Sequence, residues 1–165
     1  MESLRRMYDC VVKSGAFDNF GYLVHFFVML DEEFKPSESW QIGFYNKKTK
    51  EIESFSVDPV AVVEKSRAFK HDKKAVEPLD LEKVKINFNS AIEAARKLHL
   101  EKYKSQSADK VIVILQSLNN VTTWNITLIT KSFSVLNIKV DACSGKVYHH
   151  ELGTLLQWGN KSAAK

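Results

Sequence analysis

Apolar residues at Leu4, Met7, Tyr8, Val11 and Val12 recur at i, i+3, i+4, i+7 and i+8, a spacing that predicts an amphipathic helix. Gly15, just beyond, is its stop signal. A second helix is predicted from about Asn89 to Tyr103. There Ser90-Ala91-Ile92-Glu93 has the form of a capping box, and Ile92, Ala95, Leu98 and His99 share a face from which Arg96, Lys97 and Lys104 point away. Between the helices the period changes. Tyr22 to Leu30 is apolar apart from His25 and is about half of the ~20 residues that a membrane-spanning helix requires, so a buried strand is expected.

Two period-two segments share a pattern. Trp40-Gln41-Ile42-Gly43-Phe44-Tyr45 and Trp124-Asn125-Ile126-Thr127-Leu128-Ile129 both run Trp, amide, Ile, any residue, apolar, apolar, with Trp, Ile and Phe or Leu on one strand face. An apolar run ends at Leu30 or Leu115, ten and nine residues before each Trp. Phe55-Ser56-Val57-Asp58 and Ile138-Lys139-Val140-Asp141 end 18 and 17 residues after it. Three features in one order at nearly one spacing point to a duplicated unit. Each unit reads helix, long strand, Trp-led strand, strand, and the second adds Lys146 to Leu152. The expected fold class is α+β, as two helix-plus-antiparallel-sheet units packed together. The first spans 1–63 and the second 81–165. They are separated by a polar linker, 64–80, that holds Lys65, Arg67, Lys70, Lys73 and Lys74 and ends near Pro78.

Charge adds an asymmetry. Residues 1–78 carry 12 basic and 13 acidic groups, whereas 79–165 carry 12 and 7. The second half therefore suits an anionic partner, although a modest positive balance also serves solubility. Arg5 and Arg6 are followed by no apolar run of the kind a secretory leader uses, and Cys10 and Cys143 show no CxxC spacing. The expectation is a cytoplasmic protein with two free thiols. On that reading the sequons at Asn120, Asn125 and Asn160 are chance occurrences.

The second unit resembles a PepSY domain, the module found in propeptides of thermolysin-type metalloproteases. The resemblance covers roughly residues 88–152. It rests on Ala91-Ile92-Glu93-Ala94-Ala95, on Trp124-Asn125-Ile126-Thr127-Leu128, and most of all on Val140-Asp141-Ala142-Cys143-Ser144-Gly145-Lys146-Val147. In the last, Asp141 can accept from turn amides and Gly145 can take a positive φ. Ser144 stands where the family pattern favours Thr, and Val57-Asp58-Pro59 in the first unit lacks the following Gly and Val. The resemblance implies a cystatin-like sheet curled around a helix and a non-catalytic role, binding or restraining another protein. It supplies no catalytic residues.

Reactive chemistry has few anchors. No phosphate-cradling, dinucleotide or nucleophile-elbow motif occurs, and no H-E-x-x-H. Of the histidines at 25, 71, 99, 149 and 150, the adjacent His149 and His150 alternate faces on a strand and so do not readily chelate one metal. Cys10 and His25 are a nominal nucleophile and base, but Cys10 beside Val11 and Val12 is read as packed. Cys143, in a turn, is read as accessible. Asp31-Glu32-Glu33 with Lys35 is read as solvated charge. Phe26, Phe27, Trp40, Phe44, Trp124 and Phe133 are assigned to the core, and Trp158 to a partly exposed position after the last strand.

The expectation is thus a non-enzymatic protein-binding or regulatory module with no cofactor and no metal, engaging a protein partner, a protease among the candidates, through an open strand edge. Homodimers through the sheet edges are the related case. The alternatives are a nucleic-acid binder using the basic linker and second unit, and a small-ligand pocket with His25, His99 or His150 as its polar group. No membrane association is expected.

Overall fold

The structure, a computed structural model, describes residues 2–17, 21–67 and 76–154. In chain order these form helix α1 (Glu2–Lys13), strands β1 (Gly21–Leu30), β2 (Gln41–Asn46), β3 (Glu51–Val57) and β4 (Val60–Arg67), and a 3-10 turn (Leu81–Lys83). Helix α2 (Phe88–Lys102) follows, then strands β5 (Ala108–Leu118), β6 (Val121–Thr130), β7 (Ser134–Asp141) and β8 (Val147–Thr154).

All eight strands belong to one antiparallel sheet, in the order β4-β3-β2-β1-β5-β6-β7-β8. This overturns the expected α+β pair of helix-plus-sheet units, and with it a cystatin-like sheet curled around one helix. The described residues form a β-rich fold, a single continuous sheet with two α-helices. The join is made by the first strand after each helix, His25–Leu30 of β1 pairing with Val111–Gln116 of β5. Each of these strands would otherwise leave a row of backbone donors and acceptors on an edge, and pairing satisfies both rows at once. β4 was missed: Val60-Ala61-Val62-Val63, after the Asp58–Pro59 turn, adds a further strand beside β3. The expected linker therefore opens inside β4. Its cations Lys70, Lys73 and Lys74 lie outside the described residues, whereas Leu79 is buried and its N–H donates to the Leu23 carbonyl at 2.9 Å.

Register sorts the side chains onto two faces. Phe55, Ile42, Phe26, Leu115, Trp124 and Val140 are successive cross-strand partners and are all fully buried. Helix α1 lies over this face at β2 and β3, and α2 over it at β6 and β7. Leu4 and Val11 of α1 are buried there, and Tyr8 and Phe17 pack on Phe44 at ring distances of 5.9 and 4.2 Å. Phe88, at the start of α2, sits edge-on between Trp40 (5.2 Å) and Trp124 (6.0 Å). Phe88 thereby links the two tryptophans that the sequence pattern singled out.

Local signals set the boundaries. The cap of α2 is Asn87, whose side chain accepts from Ser90 N–H, so Ser90 is not the capping residue the sequence pattern indicated. Asn119 and Asn120, both at positive φ, close the two-residue β5–β6 hairpin. Asp141 Oδ1 accepts from the N–H groups of Cys143 (2.7 Å) and Ser144 (2.8 Å), and Gly145 follows at φ +76°, building the β7–β8 turn.

The open sheet face as candidate functional site

The face turned away from the helices carries the next register rows. One row runs Ser56, Gln41, Phe27, Ile114, Asn125, Lys139 and His149. A neighbouring row runs Met29, Ile112, Thr127, Asn137 and Glu151. Phe27, Met29, Ile112 and Ile114 thus form an apolar patch on the two central strands, each of them half-buried. Among the described residues neither helix covers them. Polar neutral groups border the patch. Asn137 is buried on this face and donates through Nδ2 to Asn125 Oδ1 (2.7 Å) and Thr127 Oγ1 (2.9 Å). Lys110, opposite Ile129, and Lys139 bring positive charge to its margin, and Glu64 and Glu151 stand farther out on the edge strands.

His25 lies on this face, opposite Gly43. A Cβ at Gly43 would collide with the imidazole ring, so the bare glycine is what lets the ring lie down on the sheet. Burial there pushes the imidazole down to about 4. Toward the β2 end, Tyr22 and Tyr45 are cross-strand neighbours with ring centroids 5.3 Å apart, and Lys47 Nζ stands over the Tyr22 ring. Burial, and secondarily Tyr45, raise the Tyr22 hydroxyl above its ordinary pKa. That hydroxyl donates to the Val76 carbonyl at 2.7 Å.

The remaining candidates are scattered. Cys10 is exposed on α1, contrary to its expected packing, and the sheet separates it from His25, so no nucleophile and base are brought together. Cys143 is exposed in its turn. His99 Nε2 is bonded to the Gln106 carbonyl on the helix side. His150 turns to the helix face, where its Nδ1 meets the Tyr103 hydroxyl at 2.7 Å, while His149 turns to the open face within 4.0 Å of Glu151. The histidines proposed for one pocket, His25, His99 and His150, therefore lie on opposite sides of the sheet. Clefts of about 510 Å³, beside Leu4, Met7, Trp40 and Phe88, and about 340 Å³, beside Tyr8, Tyr22 and Leu79, contain none of them. Among the described residues there is no group of three His, Cys, Asp or Glu side chains that could hold a metal. No described helix is long and apolar enough to cross a membrane.

Asp31 shapes a turn, accepting from Glu33 and Lys35 N–H, while Glu32 pairs with Lys131 at 2.7 Å and Glu33 with Lys35. Of the aromatics assigned to the core, Phe26, Phe44 and Trp124 are buried there and Trp40 packs against it. Phe27 is on the open face, and Phe133 is 74% exposed in the β6–β7 turn at φ +58°. Trp158 lies outside the described residues. Tyr22, Met29, Tyr45, Ile112 and Ile114 were not singled out from the sequence. The signal for the last two was present, since Ile112 and Ile114 alternate with Val111, Val113 and Leu115 and make that strand apolar on both faces.

No family model matches the chain, and no curated protein matches it. Among solved structures, the crystal structure of a "putative lipoprotein" from Clostridium difficile 630 is similar, with a TM-score of 0.54 and 17% identity, covering 88% of this chain and 91% of that one. At that identity the likeness is one of fold.

Proposed function

We propose that this chain is a non-catalytic protein-binding module that seats a folded partner on the open face of its sheet. One observation carries the reading: four large apolar side chains, Phe27, Met29, Ile112 and Ile114, stand half-buried side by side on the two central strands, bordered by Gln41, Asn125 and Thr127 with Lys110 and Lys139 at the margin. An apolar, charge-poor centre within a polar rim is the anatomy of a protein interface, and single-chain proteins rarely leave such a patch without use. Lys110 and Lys139 at the margin suit a partner with carboxylates around its own apolar contact. The PepSY resemblance belongs to this proposal, since residues 88–152 comprise α2 and most of β5 to β8. So does a cytoplasmic setting, with which two exposed free thiols agree.

A second reading draws on Tyr22, Tyr45 and Lys47. Neighbouring rings with a cation above them on a sheet are also how single-stranded nucleic acid is stacked and neutralised. One experiment separates the two. Tagged wild-type protein and the Ile112→Lys and Ile114→Lys variants, whose new side chains can run their stems along the sheet and keep the ammonium in water, are used to capture partners from nuclease-treated and untreated lysate. Washes are made at low and high salt. The expected result is a protein retained by wild type after nuclease and high salt and lost by both variants. Equal retention by the variants overturns the open face as the site. Recovery of nucleic acid alone, released by salt, transfers the assignment to the second reading.

A further inference from the structure

We propose that strand β8 is a self-complementary edge at which two copies of the chain pair antiparallel, joining their sheets across a two-fold axis at His150. The inference does not depend on the open-face reading. Edges of a sheet are usually guarded against such pairing by lysine, proline or a bulge. At the opposite edge, β4 follows Pro59, contains Lys65 and is interrupted by a register shift. From Val147 to Thr154, β8 contains no Lys, Arg or Pro. Its one register shift falls at Tyr148, whose ring is held on the open face by the contact between its hydroxyl and Thr123 Oγ1, 2.8 Å away. From His149 to Thr154 the strand keeps regular register with Lys139 to Ser134, so this length offers a straight template.

The side chains specify which register two such edges would take. Residues directly opposite in an antiparallel pair share a face, so a two-fold must pass through a residue position. Centring at Glu151 sets that carboxylate against its own copy, which is repulsive. Centring at His149 opposes Glu151 to Val147, whose side chain offers it no polar group. Centring at His150 places His149 opposite Glu151 of the partner subunit, and the reciprocal pair forms by symmetry. Both side chains are on the open face, they are 45% and 43% exposed, and their 4.0 Å separation within one strand shows that they share the same surface. The same register brings the 40% exposed Leu152 beside the partner strand. His150 itself is on the other face, turned toward Tyr103. The apolar patches of the two open faces then lie on one continuous surface.

The test is a charge exchange read by sedimentation velocity on the full chain, over a concentration series reaching about 1 mM. Wild type is expected to shift with concentration from the 18.9 kDa monomer toward twice that mass. Glu151→Lys, which removes the acceptor of each His149–Glu151 contact, and His149→Glu, which sets two carboxylates opposite each other, should each weaken the association about tenfold over the two symmetric contacts. The double variant, His149→Glu with Glu151→Lys, should restore it to within about threefold. Amide hydrogen exchange supplies the second readout, with protection of residues 149–153 rising with wild-type concentration. A wild-type protein that stays monomeric throughout the series overturns the proposal, as does a double variant no tighter than the single ones. Partner capture through the open face is measured separately, so failure of either reading leaves the other standing.

Discussion

His25 places a titratable ring where only its neutral form is comfortable, which makes acid a specific probe of the open face. The imidazole lies over Gly43, largely out of water, and burial holds its pKa at about 4 against an ordinary 6.5. Above pH 6.5 the ring is neutral in folded and unfolded chains alike and contributes nothing to the pH dependence. As pH falls from 6.5 toward 4, the unfolded chain takes up a proton that the folded chain refuses, so stability falls. Below about 4 both states are protonated and the loss levels off. A gap of this size corresponds to about 2 to 3 kcal/mol, the lower part of the range allowing for the portion of the ring that meets solvent. The assay is urea unfolding at several pH values between 7 and 4, on wild type and on His25→Phe, which fills the same seat without titrating. Other groups titrate in both proteins, so the difference between their stabilities isolates the imidazole. That difference should move in favour of the variant by about 2 to 3 kcal/mol over this window. Parallel curves, or an NMR titration of His25 with a midpoint near 6.5, would refute the assigned burial. Gly43→Ala gives an independent check: the new methyl must displace the ring, and the His25 midpoint should rise toward its ordinary value.

Three further outcomes follow from the geometry. Asn137→Ala removes the donor shared by Asn125 and Thr127, and should cost about 1 to 2 kcal/mol in urea unfolding, since both acceptors are partly open to water. Asn87→Ala should lower stability by about 1 kcal/mol with a matching loss of helical signal, whereas Ser90→Ala should be nearly neutral because Ser90 uses its backbone N–H, not its hydroxyl, in the cap. Native protein should release two equivalents of thiol-reactive chromophore without denaturant, one each from Cys10 and Cys143; a single equivalent would contradict the exposure of one of them.

The elements were more legible than their assembly. Both helices follow from 3.6-residue periodicity, and the Trp-led segments fall on β2 and β6, each the second strand out from the centre of the sheet. Local pattern gives no signal for which long strand pairs with which, and β1 with β5 is the pairing that turns two halves into one sheet. Phe27 and Met29 alternate with Phe26, Val28 and Leu30, and Ile112 and Ile114 with Val111, Val113 and Leu115. Apolar character on both faces is compatible with two sheets packed face to face, but it also arises where a strand has the core on one side and an open apolar patch on the other. Cys10 fails for a simpler reason: neighbours in a helix sequence are rotated by about 100°, so proximity to Val11 says nothing about burial, and Cys10 lies off the face formed by Leu4, Met7 and Val11.

The two faces of the sheet answer to different constraints. The helix-covered face contains the largest side chains and the tightest packing, Trp124, Phe26, Phe44 and Phe55 among them, and its residues are fixed by the need to fill space. Nothing in that requirement selects Phe27, Met29, Ile112 or Ile114, which remain partly in water at a standing cost in exposed apolar area. Threonine at these half-buried positions would retain β propensity and expose less apolar area. Cross-strand packing on the sheet accounts for the part of each side chain that is already out of water, and the proposed open-face site would account for the rest.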